Sequence, residues 1–291
     1  MRRARAAAWL VLVAAVAIGT TAPDTPAPQP AMRDGFRLVN ADLHVHAFPG
    51  DGMLAPWDVR REARRRGLDV IAITNHNQLY AARLDRALFR DPPPPLTLVA
   101  EELTAPGYHV IAIGIRKPVD WRLPLADAIR AIQAQGGIVI AAHPIGKHWS
   151  QMDDGALALL DGVEVAHPVR RDLRSASRQL DALYARALHV KPTIAAIGAS
   201  DYHAAGRLGA WRTVVLARDL TQQGVFEGIR AGRTVAFDAA GQAYGPQAWV
   251  ALVAGSVRTT PPATATRHIA SATLAWLALV FLVTSGRSRN D

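Results

Sequence analysis

Between about Gly35 and Val257, short apolar runs alternate with segments whose apolar positions recur every three to four residues. Arg37 to Leu43, Leu68 to Thr74, Leu96 to Ala100, Tyr108 to Ile115, Ile138 to Ala142, Gly162 to Ala166, Thr193 to Ile197 and Thr213 to Ala217 read as strands. Most are apolar throughout rather than alternating, as strands buried on both faces are. Pro56 to Arg66, Leu125 to Gln135, Leu173 to Leu188 and Leu220 to Ala231 read as helices. Gly67, Gly136-Gly137 and Gly232 mark helix stops. Strands alternating with helices predict an α/β fold with a mostly parallel sheet. No G-x-G-x-x-G or Walker-type loop interrupts the pattern, which favours a closed or distorted barrel over a nucleotide-binding sheet.

Both ends of the chain break this pattern. Met1 to Arg5 is basic and Ala6 to Gly19 is apolar, so residues 1–20 read as a signal peptide or an N-terminal membrane anchor. A Pro-rich linker follows over 21–34, which leaves that apolar segment nothing beside it to pack on. The domain proper spans 35–257. A second linker, 258–268, leads to an apolar segment at 269–285 that reads as a transmembrane helix, with a basic tail at 286–291. Arginines flank the outer end of each apolar segment. The positive-inside rule then places both ends in the cytoplasm and the domain on the extracytoplasmic, or periplasmic, side.

Composition narrows the chemistry. The chain has 291 residues and no cysteine, which excludes disulfides, thiolate-held zinc and thiol nucleophiles and suits an oxidising compartment. The formal net charge is +9, and Arg2, Arg3, Arg5, Arg287 and Arg289 lie in the terminal segments. The modest excess left in the domain suits an anionic small-molecule substrate. No basic run with interleaved aromatics appears, so nucleic acid is not an expected partner.

In α/β folds, chemistry collects at the carboxyl ends of strands. The first strand ends in Asp42-Leu43-His44-Val45-His46, with Asp51 close behind. The second ends in Thr74-Asn75-His76-Asn77. Glu101 and Glu102 follow the third, and His109 lies near the start of the fourth. His143-Pro144 and His167-Pro168 follow the next two, and the stretch over 162–166 carries Glu164. Ser200-Asp201-Tyr202-His203 follows the strand ending at Ile197. Seven of the ten histidines therefore sit at strand edges; His148, His189 and His268 are the exceptions. Imidazoles and carboxylates without sulfur, gathered on one face, describe a site for Zn²⁺, Mn²⁺ or Fe²⁺. So many ligands imply two or three bridged ions.

Asp42-Leu43-His44-Val45-His46 with Asp51-Gly52, Ile73-Thr74-Asn75-His76-Asn77, Glu102 followed by His109, His143-Pro144, and Ser200-Asp201-Tyr202-His203 together resemble, in order and spacing, the motifs of the polymerase-and-histidinol-phosphatase (PHP) superfamily. The resemblance covers about Gly35 to Phe237. Thr213 through Gly232-Arg233-Thr234 looks like the carbaryl-hydrolase-like branch. The resemblance implies a distorted (β/α)7 barrel, a cluster of usually three metal ions, and hydrolysis, mostly of phosphoesters. It implies His44, His46, Asp51, His76, Glu102, His109, His143, Asp201 and His203 as metal ligands, with Glu102 as the bridge. Two positions depart from it. Ala100 replaces the usual Gly. Asn75 replaces the Asp that would orient a ligand imidazole beside His76.

His167 follows a strand without belonging to that ligand set, which makes it the candidate general acid. Lys147, Arg170, Arg171 and Arg207 lie in loops able to reach a phosphate. Asp153-Asp154 reads as a solvated loop pair, and Arg60-Arg61 with Arg64-Arg65-Arg66 as a charged outer helix face. The same ligands would also serve hydrolysis of a carbamate, amide or ester. A membrane-anchored binding protein with an inactive site is the reading of a different class.

Overall fold

The apolar runs become buried strands that wrap into a nearly closed barrel. The computed structural model describes residues 2–21, 30–89, 95–169, 174–204, 207–256 and 266–287. In chain order the elements are α1 (Arg2–Thr21), β1 (Met32–Arg33), β2 (Phe36–Val45), α2 (Pro56–Arg65), β3 (Val70–Ile73), α3 (Tyr80–Leu88), β4 (Leu96–Ala105), β5 (Tyr108–Ile113), α4 (Leu125–Gln133) and β6 (Ile138–Ala141). Then come a 3₁₀ turn (Gly146–Trp149), α5 (Asp154–Leu159), β7 (Gly162–Ala166), α6 (Arg174–Val190), β8 (Ala195–Gly198), β9 (Arg212–Ala217), α7 (Gln222–Arg230), β10 (Thr234–Phe237), β11 (Ala243–Tyr244), α8 (Gln247–Val253) and α9 (Thr266–Arg287). The linker residues 22–29 and 257–265, the tail 288–291, and Arg170 and Arg171 lie outside the described residues.

The sheet runs β11-β10-β9-β2-β3-β4-β5-β6-β7-β8, with β1 paired to β2. Strands β2, β3, β4, β6, β7, β8 and β10 point the same way, while β5 and β9 run against them. This mixture is the distortion of the (β/α)7 barrel. The last gap is closed by side chain and backbone: the Gly198 N–H donates to Thr213 Oγ1 at 2.9 Å, and that hydroxyl donates to the Gly198 carbonyl at 2.9 Å. A Cβ at Gly198 would meet the Arg212 carbonyl oxygen at 2.4 Å, so the seam requires glycine there.

Alternate residues of the strands, among them Val39, Ala41, Leu43, Val70, Leu98, Ile111, Ile138, Ile140, Ile197 and Val215, form one buried interior cluster. Val225, Phe226 and Ile229 of α7 plug its lower end. A larger cluster fills the space between the sheet and the surrounding helices.

Several sequence expectations are corrected. Asp153 is not a solvated loop residue: its carboxylate accepts from the Ala156 N–H at 2.8 Å and caps α5. The arginines of α2 are not simply an outer face. Arg60 is buried on Asp85 and Thr97, and Arg66 is buried on Glu62. Helix α3, which the apolar pattern leaves unassigned, is short and has no side-chain N-cap.

The terminal segments are helical and apolar, and they do have something to pack on. Helix α1 lies antiparallel to α9. Arg5 donates to the Leu282 carbonyl and to Ser285, and Ser271 donates to the Ala15 carbonyl. The pair rests on α2. Trp57 Nε1 donates to Ser271 Oγ at 3.0 Å, and His268 lies wholly buried between Asp58 (3.0 Å) and Glu62 (3.6 Å). Helix α9 therefore begins at Thr266, inside the stretch expected to be linker.

Asp69, buried just ahead of β3, accepts from the Asn40 N–H at 2.8 Å. Burial, against the pull of these bonds and of Arg212, raises its carboxyl from 3.8 to about 6. A carboxyl raised by folding binds its proton better in the native state, so stability falls as pH climbs from about 4 to about 6. The full difference is worth ~3 kcal/mol. Urea midpoints at about pH 4 and about pH 7 should show this slope in the wild type, and Asp69→Asn should remove this component.

Candidate metal centre

The upper rim of the barrel gathers the polar strand ends. In β2 the register against β3 shifts between Asp42 and Val45. Such an irregularity re-aims side chains near sites. Leu43 stays in the barrel interior, Val45 turns to the outer layer, and His44 and His46 face inward together. Asp42 does not join them. It is fully buried and accepts from the N–H groups of Ser200 (3.1 Å) and Gly209 (2.8 Å), tying β2 to the loops after β8. Burial pushes its carboxyl up to about 6 against those bonds.

Glu102 is the hub. Its alternation with Glu101 along β4 turns one carboxylate inward and the other toward the backbone N–H of Val119 (2.8 Å). Both are buried, so neither belongs to a solvated pair. Glu102 Oε1 meets His109 Nδ1 at 2.8 Å and His143 Nε2 at 3.0 Å. Its Oε2 lies 2.9 Å from His76 Nδ1, 3.4 Å from His44 Nε2 and 3.5 Å from His46 Nε2. Asp201, in a left-handed backbone conformation (φ 46°), places Oδ1 3.1 Å from His44 Nε2 and 3.3 Å from His46 Nε2. Asp51 returns from the turn after β2 to meet His46 (3.0 Å), His76 (3.0 Å) and His203 (3.1 Å). The structure thus brings all nine residues named from the sequence to one place.

Five sets of donor atoms lie close enough to grip a cation: His46-Asp51-His76-His203, His44-His46-Glu102, Glu102-His109-His143, His44-His143-Asp201 and His44-Glu164-His167. The donors fit such an occupant. Two imidazole nitrogens, His44 Nε2 and His46 Nε2, face each other at 3.1 Å. Among the described residues, the buried oxygens Glu102 Oε2 and Asp201 Oδ1 accept no well-formed hydrogen bond. Buried polar atoms left this way are costly unless something else satisfies them.

The carboxylates and imidazoles shift one another strongly. Burial opposes charge on His44, but Asp201, Glu164 and Glu102 together hold its pKa well above the usual value. Burial also opposes ionised Glu102 and Asp201, yet the surrounding imidazoles, His44 first, keep both below the carboxylate range. A hydrogen bond from His46 does the same for Asp51.

Glu164 escaped the ligand set, although it lies on a strand within a histidine-rich rim. It is fully buried, meets His44 Nδ1 at 2.8 Å and accepts from the His143 N–H at 2.6 Å. It thereby fixes which nitrogen of His44 faces the cluster. His148, left aside because it follows no strand directly, sits in the 3₁₀ turn with its ring 4.1 Å from that of His109. His268 lies at the terminal helices instead. His167 is buried; its Nδ1 accepts from the Val169 N–H at 3.2 Å, so Nε2 faces Asp201 Oδ2 at 3.4 Å.

Asn75 does not orient an imidazole, as an Asp there would. Its amide nitrogen donates to the carbonyls of Ala47 (2.5 Å) and Pro49 (3.0 Å), and its oxygen accepts from the Ala47 N–H (2.9 Å). It clamps the turn that carries Asp51, a task that needs a donor and an acceptor on one side chain. Thr104 Oγ1, at 2.7 Å, is what meets His76 Nδ1 besides Glu102. Arg207 is exposed.

No protein-family model matches the chain. An uncharacterized protein of Methanocaldococcus jannaschii is 29% identical over 147 residues, which is 46% of this chain and 85% of that one. Among solved structures, a two-domain protein from Bacteroides vulgatus containing a predicted PHP-like metal-dependent phosphoesterase superposes with a TM-score of 0.57. It is 21% identical, over 74% of this chain and 69% of that one. An amidohydrolase from Chromobacterium violaceum gives a TM-score of 0.42 at 20% identity, over 59% of this chain and 90% of that one.

Two measurements probe the cluster. Cation uptake requires neutral imidazoles, so it must expel protons and tighten as pH rises. Calorimetric titration with Mn²⁺ in buffers of different ionisation heat should show net proton release; none would contradict the charge assignment. Glu164→Gln keeps an acceptor for His44 but removes the charge, and should weaken cation affinity by ~10–100-fold while the fold persists by circular dichroism.

Proposed function

We propose that this chain, whose fold is that of the PHP-like metal-dependent phosphoesterases, is a metal-dependent hydrolase of phosphoesters, held at a membrane by its terminal helices. The observation that carries the reading is the sulfur-free ring of donors fused through Glu102, a buried carboxylate flanked by five imidazoles. The likeness in fold to the Bacteroides vulgatus protein supports it.

In this reading His46, Asp51, His76 and His203 hold one ion. His44, His46, Glu102 and Asp201 hold a second, and Glu102, His109 and His143 a third. Zn²⁺, Mn²⁺ or Fe²⁺ suits these donors. Bound ions supply Lewis acidity: they acidify water and offset charge developing on the phosphoryl oxygens. The protein supplies placement. Glu164 fixes His44, Asn75 fixes the turn of Asp51, and Asp42 fixes β2 against the loop of Asp201. Asp51, His76 and His203, with side chains 41%, 38% and 36% exposed, form the open side through which substrate enters. His167 carries its proton on Nε2, behind Asp201. It positions that carboxylate and can return a proton through it to the leaving oxygen.

Membrane attachment rests on the hairpin of α1 and α9. Both helices are long and apolar enough to cross a bilayer. Their antiparallel pairing puts the arginine-bearing ends, at Arg2 to Arg5 and Arg287, on one side and the domain on the other. With the positive side inward, the domain faces outward.

The test is elemental analysis of the purified full chain, followed by assays on an aryl phosphate and an aryl carbamate with Mn²⁺ or Zn²⁺ supplied. Bound transition metal and release of phosphate are expected. Hydrolysis of the carbamate alone would move the assignment to carbamate, amide or ester chemistry on the same ions. Absence of metal and of both activities would leave an anchored binding protein. The double replacement His44→Ala, His46→Ala should reduce metal retention and activity to background.

A further inference from the structure

Three features outside the donor ring lie on one surface. The first is the terminal hairpin. Its inner half is occupied: Ala15, His268, Ser271, Ala272 and Ala275 are buried against α2 and its neighbours. Its outer half is bare, with Leu10 71% and Leu277 64% exposed. From Trp276, where α9 leaves the domain, to Arg287 the helix climbs only ~18 Å. A hydrocarbon core is ~30 Å thick. Once the hairpin is seated in a bilayer, the domain surface around Trp276 is drawn down to the lipid headgroups instead of standing off on a tether.

The second feature is that this surface belongs to the site. The Phe48 ring stacks on Trp276 with centroids 4.6 Å apart, and Phe48 clusters with Ala15, Ala55, Trp57 and Ala275. Phe48 stands three residues before Asp51 and between Ala47 and Pro49, whose backbone Asn75 clamps. The open side of the donor ring therefore lies next to the hairpin.

The third is α3, which begins four residues after His76. It exposes Tyr80 (69%), Leu84 and Leu88, spaced so that they share one face. Phe89, at its end, packs into the hairpin cluster, so the apolar face continues that of the hairpin. On the other flank, Arg83 and Arg86 line a cleft of about 470 Å³ with Arg116. An apolar stripe with arginines beside it is the pattern of a helix lying at an anionic lipid surface.

We propose that the site acts on phosphoesters carried by lipid headgroups of the bilayer in which the hairpin is seated; the inference rests on the phosphoesterase reading and adds the substrate class. For a lipid phosphomonoester, one water is consumed, the P–O bond to the lipid oxygen breaks, and inorganic phosphate and the lipid alcohol are released, the alcohol oxygen taking a proton.

The full chain is reconstituted with Mn²⁺ into phosphatidylcholine vesicles containing dioleoyl phosphatidate, and phosphate release is followed. Dibutyryl phosphatidate, which stays in solution, and an aryl phosphate are the soluble comparators. The expected result is at least ~10-fold faster turnover of the vesicular lipid than of the dibutyryl ester, falling as phosphatidylcholine dilutes the substrate within the surface. Leu84→Glu with Leu88→Glu should lower the vesicular rate by ~10-fold and leave the aryl phosphate rate unchanged. Equal rates on the two phosphatidates, or a vesicular rate indifferent to surface dilution, overturns the proposal even if the double variant misfolds. Cleavage of the aryl phosphate without cleavage of either phosphatidate sinks the lipid assignment and leaves the phosphoesterase reading standing. Cleavage of none of the three sinks both.

Discussion

One buried carboxylate holds the upper half of this molecule together. Glu102 sits where β4 crosses the barrel rim, and imidazoles from β2, the ends of β3 and β6, and β5 converge on its two oxygens. A lone ionised carboxylate there would be expensive to desolvate. Surrounded by rings that donate or carry charge, it becomes the point at which five separate chain segments must agree in register. A slip of one residue in β4 would turn Glu101 inward, and that side chain is already committed to the Val119 N–H.

Positions surrounding this hub play two kinds of part. Some present atoms to the centre, and others fix the presenters in place. Asp42, Asn75 and Glu164 are of the second kind, and each spends its polar atoms on backbone or on a ring nitrogen facing away from the centre. The surplus of like partners is notable electrostatically. Carboxylates hold His44, His76 and His143 toward their charged forms. The same geometry that stores protons in the free protein is ready to exchange them for cations.

Much of this was legible in the sequence because strands of this fold are apolar throughout, so any His, Asp or Glu at their ends stands out. His44, His46, His76, His143 and Asp201 were visible for that reason, and Asp51 and His203 by proximity to them. Glu164 lies inside a strand, where an isolated carboxylate gives no hint of which way it points. His148 depends on a 3₁₀ turn with no periodic signal. Asn75 is visible as a departure from the resembled motif, but its amide contacts to Ala47 and Pro49 depend on how the following turn folds back. The partnership of α1 with α9 joins the two ends of the chain. No local pattern reports a contact between residues 15 and 271.

The wholly buried His268, held between Asp58 and Glu62, has a practical meaning for anyone handling this protein. Cutting away the terminal helices to obtain a soluble fragment would strip two carboxylates of their partner and bare Trp57 and Phe48 to water. Helix α2 and the turn of Asp51 would lose their support together. The membrane segment and the hydrolytic domain are one folding unit, so solubilisation calls for detergent or lipid, not for truncation.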